Sequence, residues 1–258
     1  MFTQLQLSDI TNKQLTLLRY LYKFPYLNTN QFQKLFKHSN PRTIQEWLKN
    51  LTLKKYIIPH DFNRNKFIAN TKPAIYSLSL LARKRLKQEK KLDINVLNRI
   101  YQEKKLSYKS IDQTIFLADI YLNILSQIEG GEKLHFSTKA NLRGYDYFPT
   151  PLPDAYIALS CPNKKTKRYF LFLLTIYIPW KILRSKIEKL VEYSENNRWS
   201  EISNDPLPLF LFVCLNEQSK RQINKIISNN LPRASFYLST KTKIQSAGFK
   251  GDVWEKVE

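Results

Sequence analysis

The run HSNPRTIQEWLKN, residues 38–50, concentrates side chains that can recognise another molecule. Ile44, Leu48 and Leu51 recur at helical spacing and mark one buried stripe. Asn40 is a good N-cap, and Pro41 suits the first helical position, where a missing N–H costs nothing. The face opposite the stripe then carries Arg42, Gln45, Glu46 and Lys49, with Thr43 and Asn50 flanking and Trp47 at the stripe's edge. Arg, Gln, Glu and Lys present the donors and acceptors that match base edges and phosphates when a helix lies in a major groove.

Other chemistry finds less material. His38, His60 and His135 are scattered, with no H-x-H pair to hold a metal, and Cys161 and Cys214 form no C-x-x-C. Two thiols without a disulfide framework fit a reducing cytoplasm, with buried structural roles expected for both. With 5 Gly and no GxxxxGK(S/T), a nucleotide-driven motor is unsupported. The tyrosines fall mostly at apolar-periodic positions and read as core; none stands out as a nucleophile. No cofactor is implied by these residues.

The elements that must position residues 38–50 are legible on both sides. Leu15, Leu18, Leu21 and Tyr22 give an apolar face to a helix running from Thr11 to about Lys23, closed by Pro25. Asn28 or Thr29 can cap a second helix that buries Phe32, Leu35 and Phe36. After Lys54 and Lys55 the period turns β-like over Tyr56–Phe62 and Ala74–Leu78. Between them lies NRNKFIANTKP, whose Arg64, Lys66 and Lys72 would meet phosphates or a minor groove. Three helices followed by a hairpin with a basic tip is the order of a winged helix-turn-helix, here residues 1–80. Residues 81–109 read as a basic helical connector carrying Arg83, Lys84, Arg85 and Lys87.

Charge points the same way. Residues 1–110 hold 22 basic and 6 acidic residues, a net of +16, whereas residues 111–258 hold 20 and 15, a net of +5. A polyanion facing the first part is the physical expectation, and double-stranded DNA is the partner that the helix chemistry selects. A membrane is not: the longest apolar run, Tyr169 to Trp180, is 12 residues and too short to span a bilayer.

Residues 110–258 read as an α/β domain. A long helix over 110–128 precedes strands at 134–138, 155–160 and 169–176. A helix at 180–196, a strand at 209–215, a helix at 219–230 and a strand at 234–239 follow. The uniformly apolar LFLFVCL of 209–215 suits a central strand covered on both faces.

The ordered set TNKQLTLLRYLYKFPYLNTNQFQKLF, PRTIQEWLKNLTLKKYI, PLPDAYIAL and SKIEKLVEY resembles the replication-relaxation family of plasmids, phages and mobilisable elements, over about residues 11–240. The resemblance implies an N-terminal winged helix joined to a domain similar to the PD-(D/E)xK nuclease fold. It further implies a metal site in which Asp154, of PLPD, takes the first carboxylate position. Lys186 and Tyr193 match the family's Lys-to-Tyr spacing. The next strand departs from the pattern, placing Phe172 and Leu174 about where acids should stand and offering no Lys. PD-(D/E)xK chemistry needs two or three carboxylates around a divalent ion and a lysine beside the water. Glu129, Glu132 or Asp146 would have to supply what is missing.

The sequence thus reads as a cytoplasmic, mobile-element protein that binds a duplex site in replication or mobilisation, its nuclease-like domain degenerate and non-catalytic. A second copy of the chain and other replication or mobilisation proteins are further partners that this reading admits. Its rivals are a metal-dependent nicking relaxase or nuclease, the one reading that needs Mg²⁺ or Mn²⁺, and a winged-helix transcriptional regulator.

Overall fold

A computed structural model describes residues 9–60, 73–90, 92–102, 107–162, 165–230 and 234–258. The chain forms two compact units, Met1–Leu122 and Asn123–Glu258. Among the described residues no helix is long and apolar enough to cross a membrane.

The first unit opens with α1 (Asn12–Lys23), β1 (Leu27–Asn28), α2 (Thr29–Leu35) and α3 (Pro41–Leu53). Local chemistry starts each helix. Thr11 and Gln14 form a capping box on α1, and Asn28 and Gln31 form one on α2, each satisfying two terminal N–H groups reciprocally. Asn40 Oδ1 accepts from the Arg42 N–H at 2.9 Å, ahead of Pro41 at the first position of α3. The chain then enters β2 (Ile57–His60) and β3 (Ile75–Leu78). β3 is the central strand of a three-stranded antiparallel sheet in the order β1-β3-β2, with Leu27 opposite Tyr76 and Ile57 opposite Leu78. Leu17, Leu18, Leu21, Phe32, Ile44, Leu48 and Leu51 are fully buried and join the three helices into one core.

The basic stretch after β3 is two helices, α4 (Leu80–Leu86) and α5 (Ile94–Gln102), rather than one. The first ends at Leu86, and the second has its own start, where the Asp93 carboxylate accepts from the Asn95 N–H at 2.7 Å. The long α6 (Tyr108–Ser126) follows. Gln31 ties it to α2: its Nε2 donates to Ile115 O at 2.8 Å and to Asp119 Oδ1 at 2.7 Å.

The second unit is a six-stranded mixed sheet with helices. Its elements are β4 (Lys133–Thr138), α7 (Lys139–Leu142), β5 (Ala155–Ser160), β6 (Lys167–Leu174), α8 (Trp180–Glu195), α9 (Arg198–Ser203), β7 (Leu209–Cys214), α10 (Glu217–Ser228), β8 (Phe236–Thr240), α11 (Lys241–Ala247) and β9 (Glu255–Lys256). Strand order follows chain order, β4 to β9. β6, β7 and β8 are parallel and the other pairings antiparallel. Parallel neighbours need crossover helices, and α8 and α10 supply them. One sheet face presents Phe170, Phe172, Phe210, Phe212, Phe236 and Leu238, which form a core with Leu183, Ile187 and Leu190 of α8 and Ile223 and Ile227 of α10. Phe172 stacks on Phe212 at 5.1 Å and Phe210 on Phe236 at 4.7 Å.

β6 ends two residues earlier than its apolar run suggests, at Leu174 rather than Ile176. Tyr177, just beyond, is 78% exposed, so the run outlasts the strand. α9, α11 and β9 were not expected from the sequence.

Candidate nucleic-acid interface

α3 buries Ile44, Leu48 and Leu51 and turns Arg42, Gln45, Glu46 and Lys49 to solvent. These four share one exposed face, with Thr43 half-buried at its border. Asn40 is exposed at the helix start, but its side-chain oxygen is engaged in the cap, leaving its amide nitrogen for any external acceptor. Asn50, at the other border, accepts from Gln14 Nε2 of α1 at 2.9 Å and acts as an interhelical strut. Trp47 is half-buried, with Phe36 edge-on at 5.4 Å and Lys13 Nζ over its ring at 5.4 Å. That packing fixes the roll of α3 about its axis and so the direction of its polar face. Arg64, Lys66 and Lys72 lie outside the described residues.

Not all basic residues that follow point outward unengaged. Arg83 donates to Asn98 of α5, and Arg85 pairs with Glu89 at 3.5 Å. Lys84 and Lys87 are exposed. The first two therefore brace α4, and the last two stand in solvent.

Asp154 stands at a corner of the second unit's sheet, one residue before β5. Its N–H donates to Leu171 O at 2.8 Å, and its own carbonyl accepts from the Lys139 N–H at 3.0 Å. The side chain folds onto β6, where Oδ2 accepts from the Leu173 N–H at 2.7 Å. The carboxylate thus occupies a ladder position, standing in for a backbone acceptor at the strand's end. Burial pushes its pKa above the usual carboxylate value, partly countered by the charge of Lys139, the Leu173 hydrogen bond and the charge of Lys186.

The acids that would complete a metal site are elsewhere. Phe172 is 4% exposed and packs in the aromatic core, and Leu174 adds another apolar side chain at that strand end. Glu132 precedes β4 at the opposite end of the sheet from Asp154, as the pairings of Lys133 with Ser160 and of Thr138 with Ala155 require. It is bound to Lys250 at 2.7 Å and receives the Cys161 thiol at 3.1 Å, which hold its carboxyl down at about 2. Glu129 lies three residues earlier, its N–H directed to Glu132 Oε2 at 3.4 Å. Asp146 pairs with Arg198 at 2.9 Å. Among the described residues no three His, Cys, Asp or Glu side chains are gathered where they could hold a metal ion.

Tyr193, which shares the Lys186 helix, donates its hydroxyl to Tyr147 O at 2.6 Å, and burial pushes its pKa up to about 12. This is a tether for the loop before β5, not an ionised nucleophile. Cys214 is buried as expected; Cys161 is only half-buried.

No family model matches the chain, and no curated protein matches it. Among solved structures it is similar to the restriction endonuclease FokI, with a TM-score of 0.35 and 14% identity. The match covers 93% of this chain and 45% of that one, so the chain spans less than half the length of that protein.

Proposed function

We propose that the chain binds double-stranded DNA in a sequence-dependent way, with α3 in the major groove and the residues between β2 and β3 against the backbone, as in a winged helix-turn-helix. The observation that carries this reading is the outward face of α3, where Arg42, Gln45, Glu46 and Lys49 stand together over an apolar stripe that is fully buried. The net +16 of residues 1–110 supports it, since phosphate neutralisation supplies most of non-specific affinity. In this reading residues 1–80 form the head, 81–109 a basic connector and 110–258 a nuclease-like scaffold without chemistry. The resemblance of the quoted sequence runs favours a duplex site on a mobile element, used in replication or mobilisation. Free thiols fit a cytoplasmic setting.

Selection of bound duplexes from a random pool tests the proposal. Arg42→Ala and Gln45→Ala are expected to relax the preference at individual base pairs by roughly 1–3 kcal/mol. Lys49→Ala is expected to weaken all sequences alike. Affinity of the intact chain should fall on the order of a thousandfold between 50 and 200 mM salt, if about six phosphates are neutralised. An unchanged sequence preference in both helix variants would remove α3 from the reading surface.

A further inference from the structure

The sheet face turned away from α8 and α10 holds a cleft of about 440 Å³, at the end of the strands remote from Asp154. That volume lies within the roughly 300–1,000 Å³ typical of small-ligand sites. Strand alternation puts Tyr169 of β6 and Tyr237 of β8 on this face, both half-buried, with Leu209 and Leu211 of β7 between them and Leu159 of β5 beyond Tyr169. Trp254, from the segment after α11, closes one side.

These rings are held before any ligand arrives. The Trp254 indole N–H donates to Phe249 O at 2.8 Å. The Phe249 ring meets Trp254 edge-on at 5.5 Å and Tyr169 edge-on at 5.9 Å. Phe249 is itself anchored, its N–H donating to Asn123 Oδ1 at 2.6 Å. Burial raises the Tyr169 phenol above its ordinary pKa, with Tyr237 and Glu132 adding to the rise, so the hydroxyl keeps its proton.

Charge in the cleft is asymmetric. Glu132, its one carboxylate, is taken by Lys250 at 2.7 Å. Lys165 and Lys167 stand exposed beside it, and among the described residues neither has an ion-pair partner. Preset aromatic surfaces next to two available ammonium groups match a planar ring that carries a negative group. Base stacking on aromatic side chains tolerates every base, because each has a π-face. Lysine serves phosphate as a point charge without demanding one geometry.

We propose that this cleft binds a phosphorylated nucleobase, with the base against Tyr169, Tyr237 and Trp254 and the phosphate between Lys165 and Lys167. The chemistry is the same for a free nucleotide and for an unpaired position in a nucleic-acid strand. It is independent of α3 and uses none of the residues assigned to duplex binding.

The test uses the full chain and two probes: adenosine 5′-monophosphate, followed by saturation-transfer NMR, and fluorescein-labelled dodecathymidylate, followed by anisotropy. Two variants are compared. Lys165→Gln with Lys167→Gln removes the phosphate contacts at exposed positions, and Trp254→Leu removes a ring while leaving every charge in place. Each variant is expected to weaken at least one probe by about tenfold. For the oligonucleotide, the lysine pair should also reduce the salt slope by about 0.7, as the loss of one single-strand phosphate contact requires. Weakening of the mononucleotide points to a free nucleotide, and weakening of the oligonucleotide alone points to a strand. Duplex binding by Arg42→Ala with Lys49→Ala, which leaves the cleft untouched, separates failure of this site from failure of α3. Wild-type binding of both probes by both variants overturns the proposal. So does a loss confined to the lysine pair and equal on duplex DNA, which would mean diffuse electrostatic attraction.

Discussion

Replacing Asp154 distinguishes a strand-end acceptor from a catalytic carboxylate. In the first role the side chain's contribution is the hydrogen bond from the Leu173 N–H at 2.7 Å. A hydrogen bond to a charged group is worth roughly 1.5–3 kcal/mol. Burial of the charge, visible in the raised pKa, offsets part of that. Asp154→Ala is therefore expected to lower unfolding stability at pH 7 by about 1–2 kcal/mol. Asp154→Asn keeps an oxygen acceptor and discards the buried charge, so it should match or exceed the wild type at pH 7. The pH dependence has a definite sign. The native pKa lies above the unfolded value of 3.8, so between the two the native state holds a proton that the unfolded chain has released. This group's contribution to stability therefore falls as pH rises from about 3.8 through the native pKa, and Asp154→Asn should lack that fall. Urea unfolding across pH 3.5–7 measures both effects, and supercoiled plasmid with Mg²⁺ or Mn²⁺ provides the parallel assay. Unchanged stability in Asp154→Ala, together with wild-type nicking that both variants abolish, would refute the acceptor role and restore a working metal site.

Two further outcomes follow from the same unit. Gly248 has φ +81°, and a Cβ there would come within 2.7 Å of Asn123 Nδ2, the side chain that anchors Phe249. Gly248→Ala should cost about 1–3 kcal/mol in thermal or urea unfolding, and a neutral effect would show that the turn is not constrained as described. Burial pushes the Cys214 thiol up to about 12, whereas Cys161 is half-buried. A disulfide reagent at pH 8 should therefore modify one thiol per native chain and both after unfolding, and two rapid native equivalents would contradict that burial.

How far the sequence discloses this protein depends on how local each signal is. α3 was legible because its cap, its first-position proline and its apolar stripe all fall within residues 40–51, and each acts over a few ångströms. Asp93 carried an equally local signal, but the surrounding run of lysines and arginines suggested one continuous basic helix where the carboxylate begins another. The strand 169–176 was displaced by two residues because hydrophobicity alone set its end, and Tyr177 is hydrophobic yet solvent-exposed. Asp154 was found through a motif, but its function as an acceptor for Leu173 depends on the β5–β6 register, which no local pattern states. The cleft is the extreme case. Tyr169 and Tyr237 are 68 positions apart, and they face the same space only because Tyr169 pairs with Leu209, Leu211 pairs with Tyr237, and alternate residues share a face. Each looked like an ordinary core tyrosine in sequence. Pairing register and crossover topology turn them into facing walls, so a site of this kind becomes visible only when the sheet is assembled.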